Sequence, residues 1–115
     1  MTIAIYHNPR CSKSRQTLQL LEERGISPMI VEYLKTPPGL DELEQIIRLL
    51  GITPRELLRK TEATYKDLGL QDPTLSDRAI LEAMVTHPVL IERPIVVNGD
   101  RAAIGRPPEN VLNIL

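Results

Sequence analysis

The alternation of apolar and polar residues divides the chain into three stretches. Residues 3–6 (IAIY) form a short β-prone run, and Asn8-Pro9 follows as a rigid turn, so a strand is expected there. From Ser12 the period becomes helical: Leu18 and Leu21 lie three apart, Leu20 widens the face, and Gly25 supplies a stop. Residues 29–33 (MIVEY) predict a second strand and complete a βαβ unit. After the break at Pro37-Pro38-Gly39, LDELEQIIRLLG carries apolar residues at 40, 43, 46, 47 and 50, with Gly51 closing the helix.

Thr53-Pro54-Arg55-Glu56 has the form of a capping box with proline at the first helical position, so a short helix is expected, ended by Arg59 in ELLRK. Residues 61–68 also predict a helix, and Ser76 caps another that runs through Met84 and stops by Pro88. The last stretch changes period again. PIVVNGDRAAIG holds two β-prone runs around Asn98-Gly99, a hairpin signal, and Arg106-Pro107-Pro108-Glu109 opens a final short helix through Leu112. The expected order is βαβ, a helical block at about 40–87, then ββα: one α/β domain over 1–115 with a helical insertion.

Composition narrows this picture. A chain of 115 residues suffices for one core, and with three tyrosines, no Phe and no Trp that core must be aliphatic. The net charge of -1 argues against bulk binding to nucleic acid or anionic membranes. No apolar run reaches the length of a membrane span, and the first residues lack the order of a signal peptide. One cysteine excludes an internal disulfide framework and makes a cytoplasmic compartment the expectation. It also means that any redox chemistry must borrow its second sulfur from outside.

That cysteine, Cys11, sits in YHNPRCSKSR among His7, Arg10, Lys13 and Arg15, where the first strand hands over to the first helix. Unpaired N–H groups and the positive end of the helix dipole favour an anion there, so the thiol is expected to ionise readily. Arg10, Lys13 or Arg15 would add to this, and Arg15 shares the helical face of Cys11. His7 is either a strand-end side chain or a group that tunes the thiol, and Ser14 either satisfies a first-turn N–H or serves the sulfur. Cys-x-x-Cys is absent, Cys11 to Arg15 is not the spacing of a phosphatase loop, one Cys and two distant His make no metal set, and no glycine-rich nucleotide loop occurs. Arg59, Arg93 and Arg106 stand at element boundaries, and guanidinium forks suit tetrahedral oxyanions.

Together HNPRCSKSR (7–15), LLRK (57–60), ERPIVV (92–97) and IGRPPE (104–109) resemble the glutaredoxin-coupled arsenate reductase family, in its short bacterial form without a C-terminal extension. The resemblance implies a thioredoxin-like fold with a mixed central sheet and a cis Pro94 near the site. It implies Cys11 as nucleophile, His7 as a neighbour that affects its ionisation, and Ser14 as a hydrogen-bond donor to the thiolate. Arg59, Arg93 and Arg106 would hold the oxyanion. It further implies arsenate as substrate, glutathione as co-substrate, glutaredoxin as partner, no bound cofactor or metal, and a monomer. Two alternatives stay open: a glutathione-dependent thiol/disulfide oxidoreductase of other substrate, and a redox regulator that binds RNA polymerase. Ser14, where such regulators carry a second cysteine, counts against the latter.

Overall fold

The structure is a computed structural model and describes residues 2–115. It divides into two compact units: the N-terminal segment through Thr36 together with Arg93–Leu115, and the intervening Pro37–Glu92. The helical block expected at 40–87 is therefore a unit with contacts of its own.

The first unit holds β1 (Ile3–Tyr6), α1 (Ser12–Glu23), β2 (Met29–Val31), β3 (Ile95–Asn98), β4 (Arg101–Ile104) and a 3-10 helix over Pro108–Ile114. The strands form one mixed sheet in the order β2-β1-β3-β4. β1 runs parallel to β2, whereas the β1–β3 and β3–β4 pairs are antiparallel. Register follows from the alternation of side chains. Ile5 pairs with Val96 and Val96 with Ala103, which brings the apolar positions of three strands side by side. Ile5, Val96, Leu21 of α1, and Val111 and Ile114 of the C-terminal turn form a single aliphatic cluster, with Leu18 and Leu20 packed against it.

β2 ends at Val31, two residues short of expectation, because Glu32 turns the chain: its carbonyl accepts from the N–H groups of Lys35 and Thr36. The hairpin turn also differs from a loop centred on Asn98-Gly99. Asn98 pairs with Arg101, so the two loop residues are Gly99 and Asp100, and only Gly99 has positive φ (63°). A type II′ turn places positive φ at its first central residue alone. Asn98 is thereby left in the strand, where its Nδ2 donates to the carbonyl of Ile114 and ties down the chain end.

In the second unit α2 (Leu40–Leu50) ends at Gly51 in the left-handed conformation, and its buried residues Leu43, Ile46 and Ile47 recur at helical spacing. Thr53 caps a 3-10 turn over Pro54–Leu57 by accepting from the Glu56 N–H; the Glu56 carboxylate meets the Thr53 hydroxyl rather than its N–H. That turn stops at Leu57, so Arg59 lies beyond it, next to an isolated bridge between Leu58 and Ile91. Short helix α3 covers Ala63–Asp67. Ser76 caps α4 (Asp77–Thr86) through the Ala79 N–H, and Leu90 closes a 3-10 turn that starts at Pro88. No helix among the described residues is long and apolar enough to cross a membrane.

Candidate active site

The loop between β1 and α1 owes its shape to one asparagine. The Asn8 carbonyl accepts from the Cys11 N–H, and its Oδ1 accepts from the Arg10 N–H at 3.0 Å. Side-chain mimicry of a turn is the ordinary use of Asx residues. The loop places Cys11 at the N-cap of α1 in extended conformation (φ -91°, ψ 124°), and its carbonyl begins the helical hydrogen bonds by accepting from the Arg15 N–H. No carboxylate occupies the first turn of α1, so nothing acidic there opposes an anion.

The sulfur is half-buried. Burial by itself pushes the thiol pKa up, yet the net direction is down. The Ser14 N–H, a hydrogen bond from the Arg93 side chain, the Lys13 N–H and the charge of Arg106 outweigh the desolvation. Arg106 reaches the sulfur directly, with Nη2 at 3.4 Å from Sγ, while its Nε donates to the carbonyl of Arg93 at 2.7 Å. The opposite ends of the first unit's sequence thus meet at the sulfur. Of the cations close to Cys11 in sequence, Lys13 acts through its backbone N–H, and the exposed Arg15 donates to the Pro9 carbonyl at 3.0 Å and braces the loop.

His7 and Ser14 form a second layer. The Ser14 side chain is fully buried; its Oγ accepts from the Asn8 N–H at 3.0 Å and lies 2.6 Å from His7 Nδ1. The hydroxyl is therefore committed to the loop and the imidazole, and Ser14 favours the thiolate through its backbone N–H. Burial lowers the His7 pKa; Glu32 opposes this and Arg15 assists it. Burial, which opposes the charged form, thus favours the neutral ring.

Pro94 follows a cis peptide bond, as the resemblance implied, and Arg106-Pro107 is a second cis bond that the sequence reading did not anticipate. Two further residues escaped that reading. Thr17 is fully buried in α1, and its Oγ1 donates to the Lys13 carbonyl at 2.8 Å and lies 3.5 Å from the Gly105 carbonyl. Gly105 lies against it so closely that a Cβ there would fall 2.5 Å from Thr17 Oγ1. The only sequence signal for this contact was a lone glycine before Arg106.

Arg59 belongs to the helical unit. Its Nε lies 3.2 Å from Glu62 and its Nη1 2.5 Å from Glu92, so two carboxylates hold the guanidinium. Among the described residues no cluster of His, Cys, Asp and Glu suits a metal ion. A cavity of about 400 Å³ lies along Gln16, Gln19, Pro108 and Glu109 and contains none of the residues that surround the sulfur. A smaller one of about 220 Å³ is lined by His7 through Arg10 together with Glu32, Leu34 and Lys35.

A four-stranded mixed sheet whose first helix starts at a cysteine defines a thioredoxin-like thiol protein. The profile of the ArsC family matches residues 6–114, and the chain belongs to that family. "Uncharacterized protein YfgD" of Escherichia coli (strain K12) is 53% identical over 114 residues, which cover 98% of this chain and 96% of that one. "Arsenate reductase" of Neisseria meningitidis (strain MC58) is 52% identical over 98% of this chain and 97% of its own length. A solved structure titled "Arsenate reductase from Vibrio cholerae" superposes with a TM-score of 0.98 at 52% identity and covers 100% of this chain and 98% of that one.

Proposed function

We propose that this chain reduces arsenate to arsenite, with the Cys11 thiolate as nucleophile and glutathione and glutaredoxin as electron donors. The observation that carries the reading is the 3.4 Å contact of Arg106 with the Cys11 sulfur at the cap of α1. A guanidinium beside the sulfur supports the reading, because an oxyanion bound for attack by that sulfur needs a counter-charge. Full-length similarity to proteins named arsenate reductase supports the choice of anion.

In the proposed sequence the thiolate attacks As(V) and a hydroxyl leaves arsenic as water, giving a sulfur–arsenic adduct. Arg93 and Arg106 balance the charge on the remaining oxygens. The glutathione thiol displaces a second hydroxyl as water. A glutaredoxin thiolate then attacks the glutathione sulfur. The pair from the arsenic–glutathione bond stays on arsenic, As(V) becomes As(III), and the mixed disulfide of glutathione and glutaredoxin departs. Water hydrolyses the Cys11–As(III) bond, releasing arsenite and restoring the thiol. Both reducing sulfurs come from outside, as a chain with one cysteine requires. The protein works as a cytoplasmic monomer in this scheme and has no bound cofactor.

The test is arsenite production with purified glutathione and glutaredoxin. The parent chain should turn over and Cys11→Ser should not. Undiminished turnover by Cys11→Ser sinks the mechanism. Absence of turnover with arsenate, alongside reduction of glutathione mixed disulfides, transfers the same sulfur to a thiol/disulfide oxidoreductase.

A further inference from the structure

Arg106 can favour the thiolate only if α1, which carries Cys11, and the segment after β4, which carries Arg106, stay in fixed register. One contact joins the two directly, and two more hold the backbone around Gly105. The Gly105 N–H donates to the Pro94 carbonyl at 2.9 Å, the Arg106 N–H donates to the Ile104 carbonyl at 2.9 Å, and Thr17 Oγ1 reaches the Gly105 carbonyl. The Thr17 rotamer is set independently by its 2.8 Å bond to the Lys13 carbonyl within α1.

The glycine is needed for space and not for backbone freedom. Gly25, Gly51, Gly69 and Gly99 have positive φ; Gly105 does not. A Cβ at 105 would meet Thr17 Oγ1 at 2.5 Å, Pro94 Cγ at 2.8 Å and Thr17 Cγ2 at 3.0 Å. Neither neighbour is the loose end of a flexible side chain: one is a buried, hydrogen-bonded threonine and the other a proline ring. Any side chain larger than hydrogen must therefore move the segment away from α1, and Arg106 is the next residue along it. Its Nη2 lies 3.4 Å from the sulfur, so a displacement of the segment lengthens that contact and weakens the pull of its charge on the thiolate.

We propose that Gly105 and Thr17 are a pair of positioning residues that set Arg106 against the Cys11 sulfur. Neither touches the reacting atoms; both act through the arginine. The proposal concerns the ionisation of the sulfur and holds whichever substrate that sulfur attacks.

The decisive experiment follows alkylation of Cys11 by iodoacetamide as a function of pH, with circular dichroism to establish folding. Gly105→Ala should slow alkylation several-fold at neutral pH, with the rate recovered at alkaline pH where all thiols ionise; a role in packing alone would leave the profile unmoved. In an Arg106→Ala background the same substitution should add no further change. A folded Gly105→Ala protein with the parent profile, or an additive change in that background, overturns the proposal. Should Gly105→Ala fail to fold, Thr17 carries the test. Thr17→Val, which keeps the volume but loses the hydroxyl, should slow neutral alkylation, and Thr17→Ser should keep the parent profile. An unchanged Thr17→Val profile overturns the proposal equally.

Discussion

Arg106 and Arg59 show how differently two arginines of one family pattern are engaged. In the sheet unit Arg106 uses Nε on a neutral carbonyl, and its Nη2 faces sulfur, so its positive charge acts on Cys11. In the helical unit Arg59 meets the carboxylates of Glu62 and Glu92, which balance its charge where it stands. Both arginines match the same family pattern and both occupy element boundaries. At each arginine the local partner decides where the charge acts.

This contrast can be broken or sharpened by substitution. The largest effect belongs to Cys11→Ser, which should abolish arsenite formation outright. Arg106→Ala comes next: the loss of its charge and donor should cut the alkylation rate of Cys11 at neutral pH several-fold and weaken oxyanion binding, seen as a raised KM for arsenate. Ser14→Ala leaves the Asn8 N–H and His7 Nδ1 without their buried partner and should cost about 1–3 kcal/mol in urea unfolding.

His7 adds a dependence on pH. Burial lowers its pKa from the ordinary 6.5, so the unfolded chain binds a proton more readily than the folded one. The stability associated with the neutral ring is fully present above the unfolded value and declines as pH falls toward the folded one. Unfolding midpoints measured from pH 7 to pH 5 should fall, and His7→Gln should flatten that fall. Glu92→Gln, at the balanced arginine, has the smallest effect: a loss of about 1 kcal/mol in urea unfolding, as expected for a partly exposed ion pair.

Much of this was legible in the residues. The alternation in IAIY, the spacing in LDELEQIIRLLG with its terminal Gly51, and Ser76 ahead of α4 each placed an element within a residue or two, because the local signal and the tertiary demand agree there. Cys11 at a helix start likewise followed from the change of period after Pro9. The surroundings of the sulfur were harder to read. Sequence proximity pointed to Arg10, Lys13 and Arg15, and only the family resemblance pointed to Arg93 and Arg106, which the structure brings to the thiol while it sends the Arg15 guanidinium to Pro9. Pairing between β1 and β3 makes that meeting possible, and long-range pairing leaves no trace in local periodicity. The closeness of Gly105 and Thr17 was hidden for the same reason, since 88 residues separate them. Ser14 was expected to serve either a first-turn N–H or the sulfur, and its hydroxyl instead secures Asn8 and His7.

The most direct trial of the account is a titration of the lone thiolate by its ultraviolet absorbance, in the parent chain and in Arg106→Ala. The parent midpoint should fall below that of an ordinary cysteine, and the arginine substitution should move it upward while the protein stays folded. A parent midpoint at or above the ordinary value, unmoved by loss of Arg106, contradicts the claim that the fold brings a distant guanidinium to ionise Cys11.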